Sequence, residues 1–130
     1  MIVDTSALVA IVLHEPAYEG YAEILTAQPA RISAASYFEF GLVIDQRRDP
    51  HLTRGVDDLL VSAEVTVEPV TERQARIARE AYRDYGKSSG HPARLNFGDC
   101  FAYALARDLG EPLLFKGDDF RHTDIRPAIP

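Results

Sequence analysis

Apolar and polar positions follow two rhythms along this chain. Met1–Val3 is a short apolar run that reads as a strand, and Asp4, Thr5 and Ser6 then offer three helix caps before the next apolar run begins at Ala7. Glu15-Pro16 ends that first helix, because proline suits a helix start but not its interior. Ala17–Ala27 carries Tyr18, Tyr21, Ala22 and Leu25 at helical spacing and stops at Gln28-Pro29. Arg31–Ala34 reads as a strand, Ser36 to about Arg48 as a helix stopped by Asp49-Pro50, and Leu52–Ala63 as another helix. The alternating valines of Val65–Val70 predict a strand, and Thr71-Glu72 opens a polar helix reaching Tyr85. Gly86 to Arg94 (GKSSGHPAR) is a loop. Asn96 to Leu109 predicts an apolar helix closed by Gly110 in the C′ position. Leu113–Phe115 follows as a short buried strand, then a turn through Gly117, Asp118 and Asp119, and Thr123–Arg126 as a last strand before Pro127.

Strands alternating with helices predict an α/β three-layer sandwich, a mostly parallel central sheet flanked by helices. With no internal repeat, linker or low-complexity tract, residues 1–130 read as one domain, long enough to bury a real core. The start lacks the basic n-region and cleavage site of a signal peptide, and no apolar run approaches a membrane span. Cys100 stands alone, so no intrachain disulfide can form. A cytoplasmic protein without membrane association is the expectation. Its net charge of −6 argues against a nucleic-acid coat protein, whose footprint is basic. It leaves room for an enzyme acting on nucleic acid, with carboxylates neutralised by divalent cations.

The carboxylates carry the candidate chemistry. Asp4 lies between two apolar runs, Glu39 is the only charge in SAASYFEFGLVI, and Asp99 is the only charge in LNFGDCFAYALA. Leu113–Phe115 runs directly into Lys116-Gly117-Asp118-Asp119. Each acid has a purely structural alternative. Ser36-x-x-Glu39 and Asn96-x-x-Asp99 have capping-box spacing, and Asp4 can itself be an N-cap. Capping and chemistry do not compete, because a carboxylate in a first helical turn can point into a shared cleft. In a parallel α/β sheet ligands bind beyond the C-terminal strand ends, where Asp4 and the Asp118/Asp119 pair would lie. Several acids in one cleft raise one another's pKa unless a cation neutralises them. Oxygen ligands without His or Cys select Mg²⁺, with Mn²⁺ the alternative, over Zn²⁺. Such a site suits phosphodiester hydrolysis, with the Thr5 and Ser6 hydroxyls orienting a ligand or phosphate.

MIVDTSAL, the isolated Glu39 in ASYFEFGLVI, LNFGDCFAYALA and PLLFKGDDFRHTDI together resemble a PIN-domain ribonuclease of the VapC toxin type, in order and spacing across essentially the whole chain. The resemblance implies a Mg²⁺-dependent endoribonuclease that cleaves RNA in the cytoplasm. It implies a cognate VapB antitoxin whose C-terminal segment enters the active-site groove, a homodimer, and a toxin–antitoxin hetero-oligomer that meets operator DNA only through the antitoxin. Carried over, Asp4 and Asp99 match the main metal ligands, Glu39 the third acid and Ser6 the supporting hydroxyl. Many relatives place a fourth aspartate three residues before the last motif's phenylalanine. That position is Gly117 here, leaving Asp118 and Asp119 as substitutes, with Asp119 favoured.

Lys116 beside the cleft is the best candidate among the cations for a phosphate contact, ahead of Arg47-Arg48 and the Lys87…His91…Arg94 loop, which suits a flexible substrate flap. Tyr37, Phe38, Phe40, Phe97, Phe101 and Tyr103 read as mainly core, with some able to build a dimer or antitoxin groove, Cys100 reads as a small buried residue, and the four histidines show no mutual ligand spacing. A Mg²⁺-binding receiver-like signalling domain is the main rival, but it wants an acidic pair after the first strand and a phosphoacceptor after the third, where only Thr71 and Glu72 follow. A catalytically silent partner-binding module would not need Asp4, Glu39 and Asp99 together. A haloacid-dehalogenase-like phosphatase wants a second aspartate where Ser6 stands.

Overall fold

The computed structural model describes residues 1–129. A four-stranded parallel sheet in the order β3-β2-β1-β4 is built from β1 (Ile2–Val3), β2 (Ala30–Ser33), β3 (Val65–Glu68) and β4 (Leu113–Leu114). Around it pack α1 (Thr5–Val12), α2 (Tyr18–Ala27), α3 (Ala34–Asp45), α4 (Pro50–Ser62), α5 (Glu72–Tyr85) and α6 (Phe97–Leu109). β1 and β4 read as continuous apolar pairs because both of their faces are covered. Ile2 and Leu113 point into one core with Leu95, Tyr103, Leu105 and Phe120. Their neighbours Val3 and Leu114 point into the other, with Leu8, Leu25, Ile32, Phe40 and Ile44. That period-two split makes the three layers. No helix among the described residues is long and apolar enough to cross a membrane.

Caps set most helix starts. Asp4, Ser33, Asp49, Thr71 and Asn96 each accept a backbone N–H of the helix that follows, and Pro50 takes the first-turn position that proline tolerates. Gly110 closes α6 at φ 66°, a left-handed conformation that favours glycine.

Three expectations are corrected. β2 and α3 begin earlier than the sequence suggests, because Ser33 ends the strand and caps the helix at once. Ser36 therefore lies inside α3, the Ser36–Glu39 capping box does not form, and Glu39 sits in the second turn. Thr123–Arg126 is not a strand: Phe120 starts a turn that Thr123 closes on it, and only an isolated bridge, Leu113 to Pro127, touches the sheet. The Gly86–Arg94 segment is a loop, as expected, and carries hydrogen bonds of its own. Lys87 N donates to Leu95 O at 3.0 Å, Ala93 N to His91 Nδ1 at 3.1 Å, and the Ser89 hydroxyl to Gly86 O at 2.7 Å.

Candidate active site

β1 and β4 end side by side, so the residues leaving them meet at one edge. Asp4 N donates to Leu114 O at 2.9 Å, which fixes where the chain leaves β1. The Asp4 carboxylate is buried and caps α1: its Oδ2 accepts Ser6 N at 3.0 Å and the Ser6 hydroxyl at 2.6 Å. Ser6 Oγ in turn accepts Lys116 N at 2.9 Å, tying the turn after β4 to the same acid. Asp4 Oδ1 has no partner. Among the described residues it and Ser36 Oγ are the two fully buried side-chain oxygens without one. An unpaired buried carboxylate oxygen is costly, and burial pushes the Asp4 carboxyl up to about 6 despite the two Ser6 bonds that pull it down.

Asp99 comes from the opposite core, on the first turn of α6. It closes a capping box, with Oδ2 accepting Asn96 N at 3.0 Å while Asp99 N donates to Asn96 Oδ1 at 2.8 Å. Burial pushes its carboxyl up to about 7, and the charges of Asp4, Asp119 and Glu39 add to the rise. Glu39 reaches the same place from α3 and also raises Asp4. Asp99 thus lies within reach of the charges of Asp4, Glu39 and Asp119, and Asp4 within reach of Glu39. Asp118 is not among the charges acting on Asp99. As placed, no three His, Cys, Asp or Glu side chains of the described residues already enclose one ion. The acids are coupled at longer range, each like charge opposing the next.

The remaining candidates divide. Thr5 is buried and its hydroxyl donates to Ser36 O at 3.1 Å, a strut between α1 and α3 rather than a contact to a ligand. Lys116 Nζ pairs with Glu15 Oε1 at 2.9 Å, so its charge is held at the edge of the site. Gly117 sits at φ 100°, which an aspartate adopts only with strain, so this loop cannot easily carry its acid there. Phe38 and Phe97, expected in the core, are 69% and 78% exposed, each close in sequence to a site acid. Phe40 and Tyr103 are buried as expected. Cys100 is buried, and desolvation pushes its thiol up to about 11, which removes it as a nucleophile. Gly98 lies against Glu39, a placement that the sequence does not announce. A Cβ built on it would stand 1.9 Å from Glu39 Oε2 and 2.7 Å from the carboxyl carbon. No sequence signal marks it, since spacing does not say which distant side chain lies against a glycine.

The sequence matches the PIN domain family over residues 1–126. It is 58% identical over 130 residues to ribonuclease VapC28 of Mycobacterium tuberculosis, covering 99% of this chain and 98% of that protein. Ribonuclease VapC42 of the same organism is 55% identical over 129 residues, 98% of each chain. The fold is also that of the crystal structure of Mycobacterium tuberculosis VapC20, a sarcin–ricin-loop-cleaving toxin. The two superpose with a TM-score of 0.76 at 22% identity, over 99% of this chain and 98% of that one.

Proposed function

The chain belongs to the PIN-domain family, among its VapC ribonucleases, and from that premise we propose that Asp4, Glu39, Asp99 and Asp119 are the acids with which this RNA-cleaving toxin hydrolyses phosphodiester bonds. The observation that carries the assignment is Asp4 Oδ1, a buried carboxylate oxygen left unpaired beside further carboxylates that raise its neighbour Asp99. A protein does not tolerate such an oxygen for stability alone. A hard divalent cation, Mg²⁺ or Mn²⁺, fits it. The donors are oxygens only, and positive charge reverses the mutual repulsion of the acids. Asp4 and Asp99 would hold the ion, with Glu39 and Asp119 at its margin. When bound it supplies Lewis acidity at the scissile phosphate and a more acidic water.

The chain's own groups do the rest. Ser6 fixes one Asp4 oxygen with two hydrogen bonds, so the other is aimed rather than free to rotate. The capping box holds Asp99 in the same way through Oδ2. Glu39 has no protein hydrogen bond partner among the described residues and stays available to accept a proton from an attacking water. Asp119 serves as the fourth acid in preference to Asp118, because its charge is the one that reaches Asp99. A VapB-type antitoxin is the expected protein partner, with a toxin homodimer, a toxin–antitoxin hetero-oligomer that meets operator DNA through the antitoxin, and a cytoplasmic setting.

The test is cleavage of a bulk RNA mixture by antitoxin-free protein, in Mg²⁺, in EDTA, and with Asp4→Asn and Asp99→Asn. Cutting that needs the cation and disappears in both folded variants supports the assignment. Cutting that persists in either variant removes that acid from the site.

A further inference from the structure

Glu39 reaches the acid cluster only by crossing from α3 to the first turn of α6, and its seat there is Gly98. The whole carboxylate faces the glycine Cα: a Cβ at position 98 would lie 1.9 Å from Oε2, 2.7 Å from the carboxyl carbon and 3.1 Å from Oε1. Real Cβ atoms do not stand that close to any heavy atom, so any side chain at 98 must displace the carboxylate. Gly98 is not there for its backbone. It lies in the second position of a regular helix, outside the left-handed region, where alanine would ordinarily be preferred. The helix end also supplies a reason for the carboxylate to sit there, since the N-terminal N–H groups of α6 carry partial positive charge. Nothing else holds it: no hydrogen bond or ion pair to Glu39 is found among the described residues.

We propose that Gly98 is a positioning residue for RNA cleavage, the missing side chain that lets the Glu39 carboxylate seat on α6 beside Asp99. This rests on the reading of Glu39 as a site acid. The obstructed atoms are the far end of a flexible side chain, so Gly98→Ala leaves the fold intact and swings Glu39 out of place. A misplacement of that size in a catalytic group costs on the order of 10²-fold in rate.

The experiment compares wild type, Gly98→Ala, Glu39→Ala and the double variant by RNA cleavage in Mg²⁺, by calorimetric titration of Mn²⁺ without RNA, and by thermal unfolding. The expected result is a Gly98→Ala protein with wild-type or higher Tm, whose losses in cleavage and Mn²⁺ affinity match those of Glu39→Ala and do not deepen in the double variant. Wild-type cleavage and Mn²⁺ affinity in Gly98→Ala, beside an inactive Glu39→Ala, overturns the seat and spares the acid assignment. Losses that multiply in the double variant, or a fall in Tm that persists without Glu39, also overturn it. Full activity in Glu39→Ala overturns the acid assignment itself and the seat with it.

Discussion

At the scale of single residues, Ser6 controls the state of Asp4. Its hydroxyl and N–H both lower the Asp4 pKa against the desolvation that raises it. Ser6→Ala removes the hydroxyl bond and also the acceptor of Lys116 N–H. The loss of two partly buried hydrogen bonds should cost roughly 1–3 kcal/mol of stability, read by denaturant unfolding. The Asp4 carboxyl should titrate higher, moving the acidic limb of the pH–rate profile upward. On the proposed assignment, protons and the cation compete for these acids: cation-free Asp4 is protonated below about 6 and Asp99 below about 7, so at sub-saturating Mg²⁺ cleavage should fall as pH drops through that window, and raising Mg²⁺ should move the fall to lower pH. Stability runs the other way. Both folded pKa values lie above the ordinary 3.8, so the folded state binds protons more tightly than the unfolded one. That advantage is complete below the unfolded value and lost as pH rises through about 6 to 7, so these two groups make cation-free protein less stable at pH 8 than at pH 5. A cation should restore Tm at pH 8 far more than at pH 5.

At the scale of elements, what could be read from the sequence depended on whether the deciding contact was local. The Asn96–Asp99 capping box and the Gly110 stop of α6 were legible because each is written within a few residues. Asn96→Ala should therefore cost about 1 kcal/mol through the lost side-chain cap, read by denaturant unfolding, while cleavage by the folded protein is largely kept, because the Asn96 N–H that holds Asp99 Oδ2 belongs to the backbone. The start of α3 was misplaced because Ser36 has the local signal of a helix start, whereas Ser33, read as strand, both ends β2 in its pairing with β1 and β3 and caps the helix. Glu39 still stood out as a candidate, since its isolation among apolar residues survives a shift of the helix start. Its turn, and its seat on Gly98, were not legible: they depend on how α3 crosses α6. Exposure of Phe38 and Phe97 was invisible for the same reason.

At the scale of the whole molecule, the two cores on opposite faces of the sheet hold different parts of the site. α1, which Asp4 caps, and α3, which carries Glu39, pack with one core, and α6, which carries Asp99, belongs to the other. The acids meet only because the parallel sheet brings those layers to one edge, which is why an acidic chain of net charge −6 concentrates more negative charge there than folding alone favours. With the proposed acids, a bound cation completes that edge. Calorimetric titration of Mg²⁺ into antitoxin-free protein near pH 6.5 and again near pH 9, in buffers of different ionisation enthalpy, tests this directly. Binding with proton release near pH 6.5, little release near pH 9, and no binding in Asp4→Asn or Asp99→Asn is the expected result. Binding that releases no protons at either pH, or that survives both substitutions, would contradict it.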